Sequence, residues 1–229
     1  MKNLFITLKR KTFLIVLALI LAVASVCVFS SIETSSPKPK YSIVIDAGHG
    51  GRDGGAVGKS TGITESELNL RYAKKLENLC QEFGVGVVMT RKDMNGLYDE
   101  SAPNKKRSEM EKRKKIINES GADLMISIHM NAFPLESSSG AHVFYAKGSE
   151  NGQKLAKSVQ TSLSQSFESA RGYVTVGDYF VLNYSNIPAT LVECGFLSNP
   201  TEEKLLLSED YCESFCYSLL AGILAYFEF

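Results

Sequence analysis

Two of the three histidines in this 229-residue chain stand where their neighbours invite chemistry. One lies in Asp46-Ala47-Gly48-His49-Gly50-Gly51-Arg52-Asp53-Gly54-Gly55 and the other in Ser127-Ile128-His129-Met130-Asn131. An acid occupies a third segment, Leu191-Val192-Glu193-Cys194-Gly195-Phe196. Imidazoles and a carboxylate are the ligands of a catalytic zinc: three protein donors leave a fourth position for water, whose pKa falls to about 7. His49 and His129 would supply two donors. Glu65 is the natural third, because it begins a helix whose N-terminus can point back at a sheet edge, whereas Glu67 would face elsewhere on that helix. The plainer alternative, buried structural histidines, stays open on spacing alone. Gly48-x-Gly50 also opens a dinucleotide fingerprint, but its third glycine falls on Asp53 and no helix begins there, so a phosphate cradle is set aside. The glycines suit a backbone that approaches a metal or substrate closely and presents His49 from a short turn.

These residues need elements to position them. From Tyr41 onward, short β-branched runs alternate with longer helical periods, the pattern of an α/β sheet. Strands are expected at Ser42–Asp46, Gly86–Thr90, Leu124–His129, Ala141–Tyr145, Tyr179–Leu182 and Ala189–Glu193. Helices are expected at Glu65–Phe83, Lys105–Ser120, Glu150–Ser166, Thr201–Leu207 and Glu209–Phe227. Several strands are apolar on consecutive residues, as when helices cover both faces. The expectation is one α/β domain over residues 41–229: a central, mostly parallel twisted sheet of about six strands flanked by helices, with function at the strands' carboxyl ends. The charge run Lys105–Lys115, with Glu109/Arg113 and Glu111/Lys115 one helical turn apart, reads as a solvated helix face. No cysteine pair has C-x-x-C spacing, so Cys80, Cys194, Cys212 and Cys216 read as buried free thiols.

The first forty residues differ. Lys2, Lys9, Arg10 and Lys11 precede an uncharged apolar run from Phe13 to Phe29, either a signal-peptide core or a short transmembrane helix. Ala22-Val23-Ala24 would serve for cleavage, yet Val26 to Phe29 stay apolar beyond it, and Val26 is bulky for a lipoprotein signal at Cys27. Residues 1–30 are therefore read as an anchor with its basic side cytoplasmic and the rest exported, cleavage and secretion being the alternative. Residues 31–40, with Ser35, Ser36, Pro37 and Pro39, read as a linker. The formal net charge of zero divides: residues 1–40 hold six basic and one acidic residue, and the remainder 19 basic and 24 acidic. Such a domain lacks the basic surplus of a nucleic-acid binder.

Five ordered motifs carry a resemblance: IVIDAGHGGRDGGAVG (43–58), GITESELNL (62–70), VVMTR (87–91), RKKIINESGADLMISIHMNA (113–132) and PATLVECGFLSNPTEEKLL (188–206). From Ser42 to about Tyr226 the chain resembles the zinc-dependent N-acetylmuramoyl-L-alanine amidases, the cell-wall hydrolase family often called Amidase_3. The resemblance implies one zinc ion on His49, Glu65 and His129, deciding for Glu65 over Glu67, and places the family's catalytic carboxylate on Glu193. The implied reaction is hydrolysis of the amide between the lactyl group of N-acetylmuramic acid and L-alanine. Glu193 would take the water's proton and return it to the leaving amine. Asp46 is expected to shape the glycine turn or to bond a ligand from behind. Arg91 and Arg113 match family positions, as structural ion pairs or substrate contacts, and Asn131 and Ser127 would organise the His129 strand end. His142 matches no family ligand and reads as structural. Cys194, next to Glu193, should point to the opposite face.

The resemblance also has departures. Only Ala146–Gly148 separate the fourth strand from the next helix, where some relatives insert a helical lid. Control would then fall to expression, anchoring, metal supply or a partner protein. Asn183 stands where many members have a basic residue, which puts one substrate contact in doubt. A short, anchored, lid-free member is similar to the amidases of endospore formers that strip peptides from cortex peptidoglycan before muramic-lactam formation, with a forespore or spore-envelope location. A general lytic or cell-division amidase is the second reading, and a non-catalytic wall-binding regulator the third. An acidic outer domain beside an anionic membrane and wall would find its substrate through its anchor or a docking partner rather than by bulk attraction.

Overall fold

The computed structural model describes residues 39–228. The expected segment 1–30 and most of the expected linker lie outside these residues. Among the described residues no helix is long and apolar enough to cross a membrane.

Six strands form one sheet in the order β2-β1-β3-β6-β4-β5. They are β1 (Ser42–Ala47), β2 (Gly86–Met89), β3 (Leu124–Asn131), β4 (His142–Tyr145), β5 (Thr175–Val176) and β6 (Ala189–Phe196). All neighbours are parallel except β4 with β6. The helices are α1 (Glu65–Glu82), α2 (Lys105–Glu119), α3 (Glu150–Ser166), the single turn α4 (Phe180–Asn183), α5 (Pro200–Leu207) and α6 (Glu209–Glu228). The expected fold class, a mostly parallel six-stranded sheet flanked by helices, is the one observed.

Side-chain alternation along the buried strands creates two cores. Ile43, Ile45, Ile126 and Val192 face α1, α3 and α6, whose apolar stripes repeat at helical spacing, as in Leu155, Ala156, Val159 and Leu163. Val44, Met125 and Leu191 face the other way, against Ile117 of α2 and Val181 and Leu182 of α4. Three helix starts are capped by side chains whose chemistry suits the role. Asn104 accepts from Arg107 N–H, Ser149 from Gly152 N–H, and Asn199 from Thr201 N–H and Glu202 N–H.

Two expectations fail here. Tyr179–Leu182 is not a strand: residues 180–183 form the α4 turn, and the sixth strand is the two-residue β5 beside β4. A four-residue apolar run suits a buried turn as well as a strand, and Val181 and Leu182 bury by turning inward together. Nor is the 105–115 charge run a uniformly solvated face. Glu109 and Arg113 are each only 1% exposed, on one stripe of α2 with Ile117, and Glu111 pairs with Lys114 rather than Lys115. The i,i+4 spacing is identical for a surface pair and a buried one, so it could not separate them. The four cysteines Cys80, Cys194, Cys212 and Cys216 are free and buried, as expected.

Candidate active site

Strand register brings the site together. His129 and Glu193 are register partners on β3 and β6, so both project from the same face of the sheet. Beyond β1, Gly48 N–H bonds Ile128 O at 3.0 Å, which carries the glycine turn over the end of β3. The turn leaves room for the side chains beneath it: a Cβ at Gly48 would lie 2.3 Å from His129 Cε1, and one at Gly55 would lie 2.4 Å from Glu65 Oε2. The glycines thus admit the site's own side chains to the backbone, a more specific use than the approach of metal or substrate expected above. His49 takes a positive φ of 60°, a left-handed conformation that histidine tolerates better than most residues.

Glu65 opens α1 and reaches across the sheet edge. Its Oε1 lies 2.8 Å from His129 Nδ1 and 3.1 Å from His49 Nε2, and accepts from Met130 N–H and Asn69 Nδ2 at 3.2 Å each. Its Oε2 accepts from Ala56 N–H at 2.8 Å. Donor atoms of His49, Glu65 and His129 all lie within 4.8 Å of one another, a grouping able to hold a metal ion. Two imidazole nitrogens and one carboxylate oxygen form a donor set suited to zinc, and the residues fit that group. Glu67, by contrast, is exposed. Burial alone would raise the Glu65 carboxyl, but hydrogen bonds and charge from His129 and His49 hold it well below the usual carboxylate range.

Behind His49 stands Asp53, its Oδ1 2.8 Å from His49 Nδ1 and its Oδ2 paired with Lys106 of α2. Burial opposes ionisation of Asp53, yet Lys106 and His49 bring it down to about 2. Burial likewise opposes the charged form of His49, and the bonds to Glu65 and Asp53 override it, raising its pKa. A carboxylate behind an imidazole fixes the ring's orientation and basicity. The sequence alone gives Asp53 no role; its signal there is an acid four residues after His49 in a glycine-rich stretch. Asn69 was also missed, although it follows Glu65 by one helical turn and donates to both Glu65 Oε1 and Gly48 O.

Glu193 is different from every other buried acid nearby. It is 8% exposed, its Oε2 has no hydrogen-bond partner, and burial pushes its carboxyl up to about 7 despite the opposing influence of the two histidines. It lines a cleft of about 440 Å³ together with His49, Glu65 and His129. Tyr179, Phe180 and Val181, of the segment expected as a strand, line the same cleft, as do Asn131, Lys106 and Met110. Burial and the charges of Glu193 and Glu65 push the Tyr179 phenol up to about 12, so it remains a donor at neutral pH.

The remaining expected residues are sorted by their contacts. Asp46 bonds no histidine; it accepts from Arg113 at 2.5 Å, Thr90 at 2.8 Å and Ser127 at 2.7 Å, beneath the cleft. Arg113 makes the buried pair with Asp46 and Glu109, while Arg91 donates to the carbonyls of Ala47, Gly48, Ser66 and Asp93. His142 is occupied by Thr175 Oγ1 at 3.0 Å, and Cys194 packs in the core opposite Glu193. Asn183 donates to Asp178, which lines the cleft.

Residues 43–225 match the family described as N-acetylmuramoyl-L-alanine amidase. The chain is 38% identical over 190 residues to a germination-specific N-acetylmuramoyl-L-alanine amidase of Bacillus subtilis, covering 81% of this chain and 79% of that one. Among solved structures it resembles the CwlD amidase of Clostridioides difficile, determined in complex with the GerS lipoprotein (36% identity, TM-score 0.78, 82% of this chain and 98% of that one). An N-acetylmuramoyl-L-alanine amidase of Clostridium difficile 630 is similar at 32% identity, with a TM-score of 0.75 and coverage of 83% and 98%. A family match running the length of the described domain, joined by relatives this similar in sequence and fold, leaves one conclusion: the chain belongs to the N-acetylmuramoyl-L-alanine amidase family.

Proposed function

We propose that this chain is a zinc-dependent amidase that cuts the bond between the lactyl carbonyl of N-acetylmuramic acid and L-alanine in peptidoglycan, and that it works in maturation of the spore cortex. The observation that carries this reading is the convergence of His49, Glu65 and His129 beside a buried carboxylate oxygen, Glu193 Oε2, that no protein group satisfies.

In this reading His49, Glu65 and His129 hold the ion, which when bound would supply Lewis acidity and lower the pKa of water. Asp53 Oδ1 stands 2.8 Å behind His49 Nδ1 as a charge contact rather than an aligned hydrogen bond, and the N–H groups of Ala56 and Met130 with Asn69 hold the Glu65 carboxylate. Glu193 Oε2 is free to accept the proton of the attacking water and to deliver it to the departing alanine amine, a role worth about 10²–10⁴-fold. Burial raises the Glu193 carboxyl in the metal-free protein, and a cation beside it would draw it back toward the carboxylate that accepts the proton of water.

The cortex assignment rests on the germination-specific relative, and export with an anchor in residues 1–30 and a linker in 31–40 belongs to the same proposal. So does a docking lipoprotein, since the C. difficile relative was solved with one. Digestion of purified peptidoglycan with the soluble domain, with and without zinc, tests the reaction. Peptides bearing free L-alanine amino termini, abolished by chelator, are the expected result. Shortened glycans with intact lactyl–alanine bonds would refute it.

A further inference from the structure

Helix α2 grips His49 from two directions. At the backbone, buried Arg113 donates from Nη2 to His49 O and from Nη1 to Ala47 O at 2.7 Å. At the ring, Lys106, two turns earlier on the same helix, pairs with the Asp53 carboxylate that faces His49 Nδ1. His49 is also the one non-glycine residue with positive φ among the described residues. A left-handed residue costs free energy and persists only where its surroundings over-determine it. The same conformation turns the His49 carbonyl down into the protein, where Arg113 receives it, and the ring toward Glu65 and His129.

We propose that Arg113 is a positioning residue for the metal site: by capturing the His49 carbonyl it holds this ligand in its left-handed conformation and so sets the affinity for the ion. This rests on the zinc reading above. The guanidinium is anchored by bonds from Nη1 to Asp46 and from Nη2 and Nε to Glu109, all buried. It therefore cannot follow the turn, and the turn must conform to it. A lysine has no fork with which to hold Asp46, Glu109 and two carbonyls at once. Arg91 complements this grip on the neighbouring residues, joining Ala47 O and Gly48 O to Ser66 O at the start of α1. Among its hydrogen bonds Arg113 touches neither Glu65 nor His129, and His49 is the one proposed ligand that it holds directly.

The test is zinc titration of the metal-free full-length chain against a chromophoric chelator, with unfolding followed in parallel. Arg113→Lys is expected to raise the zinc dissociation constant by about 10–100-fold, the range found when groups supporting metal ligands are removed, in protein that is still folded. Should that variant not fold, Glu109→Gln, which loosens the anchor and keeps the guanidinium, is expected to weaken zinc by several-fold. Wild-type affinity in the folded Arg113→Lys variant, or in Glu109→Gln where that is the one that folds, would overturn the proposal while leaving the zinc reading intact. Failure of the wild-type chain itself to bind zinc would instead overturn the zinc reading, and this inference with it.

Discussion

Two groups of buried polar side chains share one face of the sheet and are finished in opposite ways. Around Arg113, each donor meets an acceptor: Asp46 takes three hydrogen bonds, and the guanidinium divides its own among Asp46, Glu109, Ala47 O and His49 O. Around Glu193, a carboxylate oxygen is buried with no partner, beside three donors that converge on one point. Burial disfavours ionisation of both acids, but the Arg113 charge and the Ser127 and Thr90 hydroxyls pull Asp46 below its ordinary value, while Glu193 stays near 7. The saturated group reads as scaffold, and the unpaired oxygen of Glu193 stands at the cleft where the proposed chemistry would take place.

Changes on the two sides should differ in their main effect, on metal and turnover at one and on stability at the other. The largest effect belongs to the incomplete side: His129→Ala should abolish stoichiometric zinc and peptidoglycan hydrolysis together, measured by metal analysis and by release of alanine amino termini. Zinc retained with full activity would remove His129 from the site. On the saturated side, Arg113→Met strands Asp46 and two carbonyls. It should cost about 3–5 kcal/mol in urea unfolding, the usual penalty for breaking a buried pair. A cost below 1 kcal/mol would show the network to be dispensable.

Stability against pH offers a third contrast, because the two acids have opposite signs. Asp46, with its folded pKa below the ordinary 3.8, contributes stability that is fully present above that value and is lost as pH falls through the folded pKa. Glu193, raised from 4.5 to about 7, contributes stability present below 4.5 and lost as pH rises toward 7, about 3 kcal/mol in the metal-free domain. Glu193→Gln should therefore flatten the slope between pH 4.5 and 7, and Asp46→Asn should flatten only the acid limb. The same slope change in both variants would dissolve the distinction. The smallest effect is the control on α2 itself: Glu111→Ala removes an exposed pair with Lys114 and should change stability by less than about 0.5 kcal/mol.

Much of this was legible from sequence, for physical reasons. Buried parallel strands announce themselves as β-branched runs, and strand ends carrying His49, His129 and Glu193 select themselves once the sheet is assumed. Burial within α2 was not legible, since Glu109–Arg113 and Glu111–Lys115 have the same spacing and only tertiary packing separates the buried pair from the exposed residues. Tyr179–Leu182 was misread because four apolar residues do not distinguish a strand from a turn. Asp53 was overlooked because its partnership with His49 depends on the left-handed turn between them, which residue types alone do not reveal.

The central claim is that the unsatisfied oxygen of Glu193 is the proton acceptor of a zinc amidase. Glu193→Gln keeps the shape, removes the base and leaves His49, Glu65 and His129 untouched. The decisive measurement is zinc content and release of L-alanine amino termini from purified peptidoglycan by that variant. One zinc per chain with turnover reduced by at least about 100-fold is the expected result. Zinc-loaded protein that still hydrolyses at the wild-type rate would contradict it.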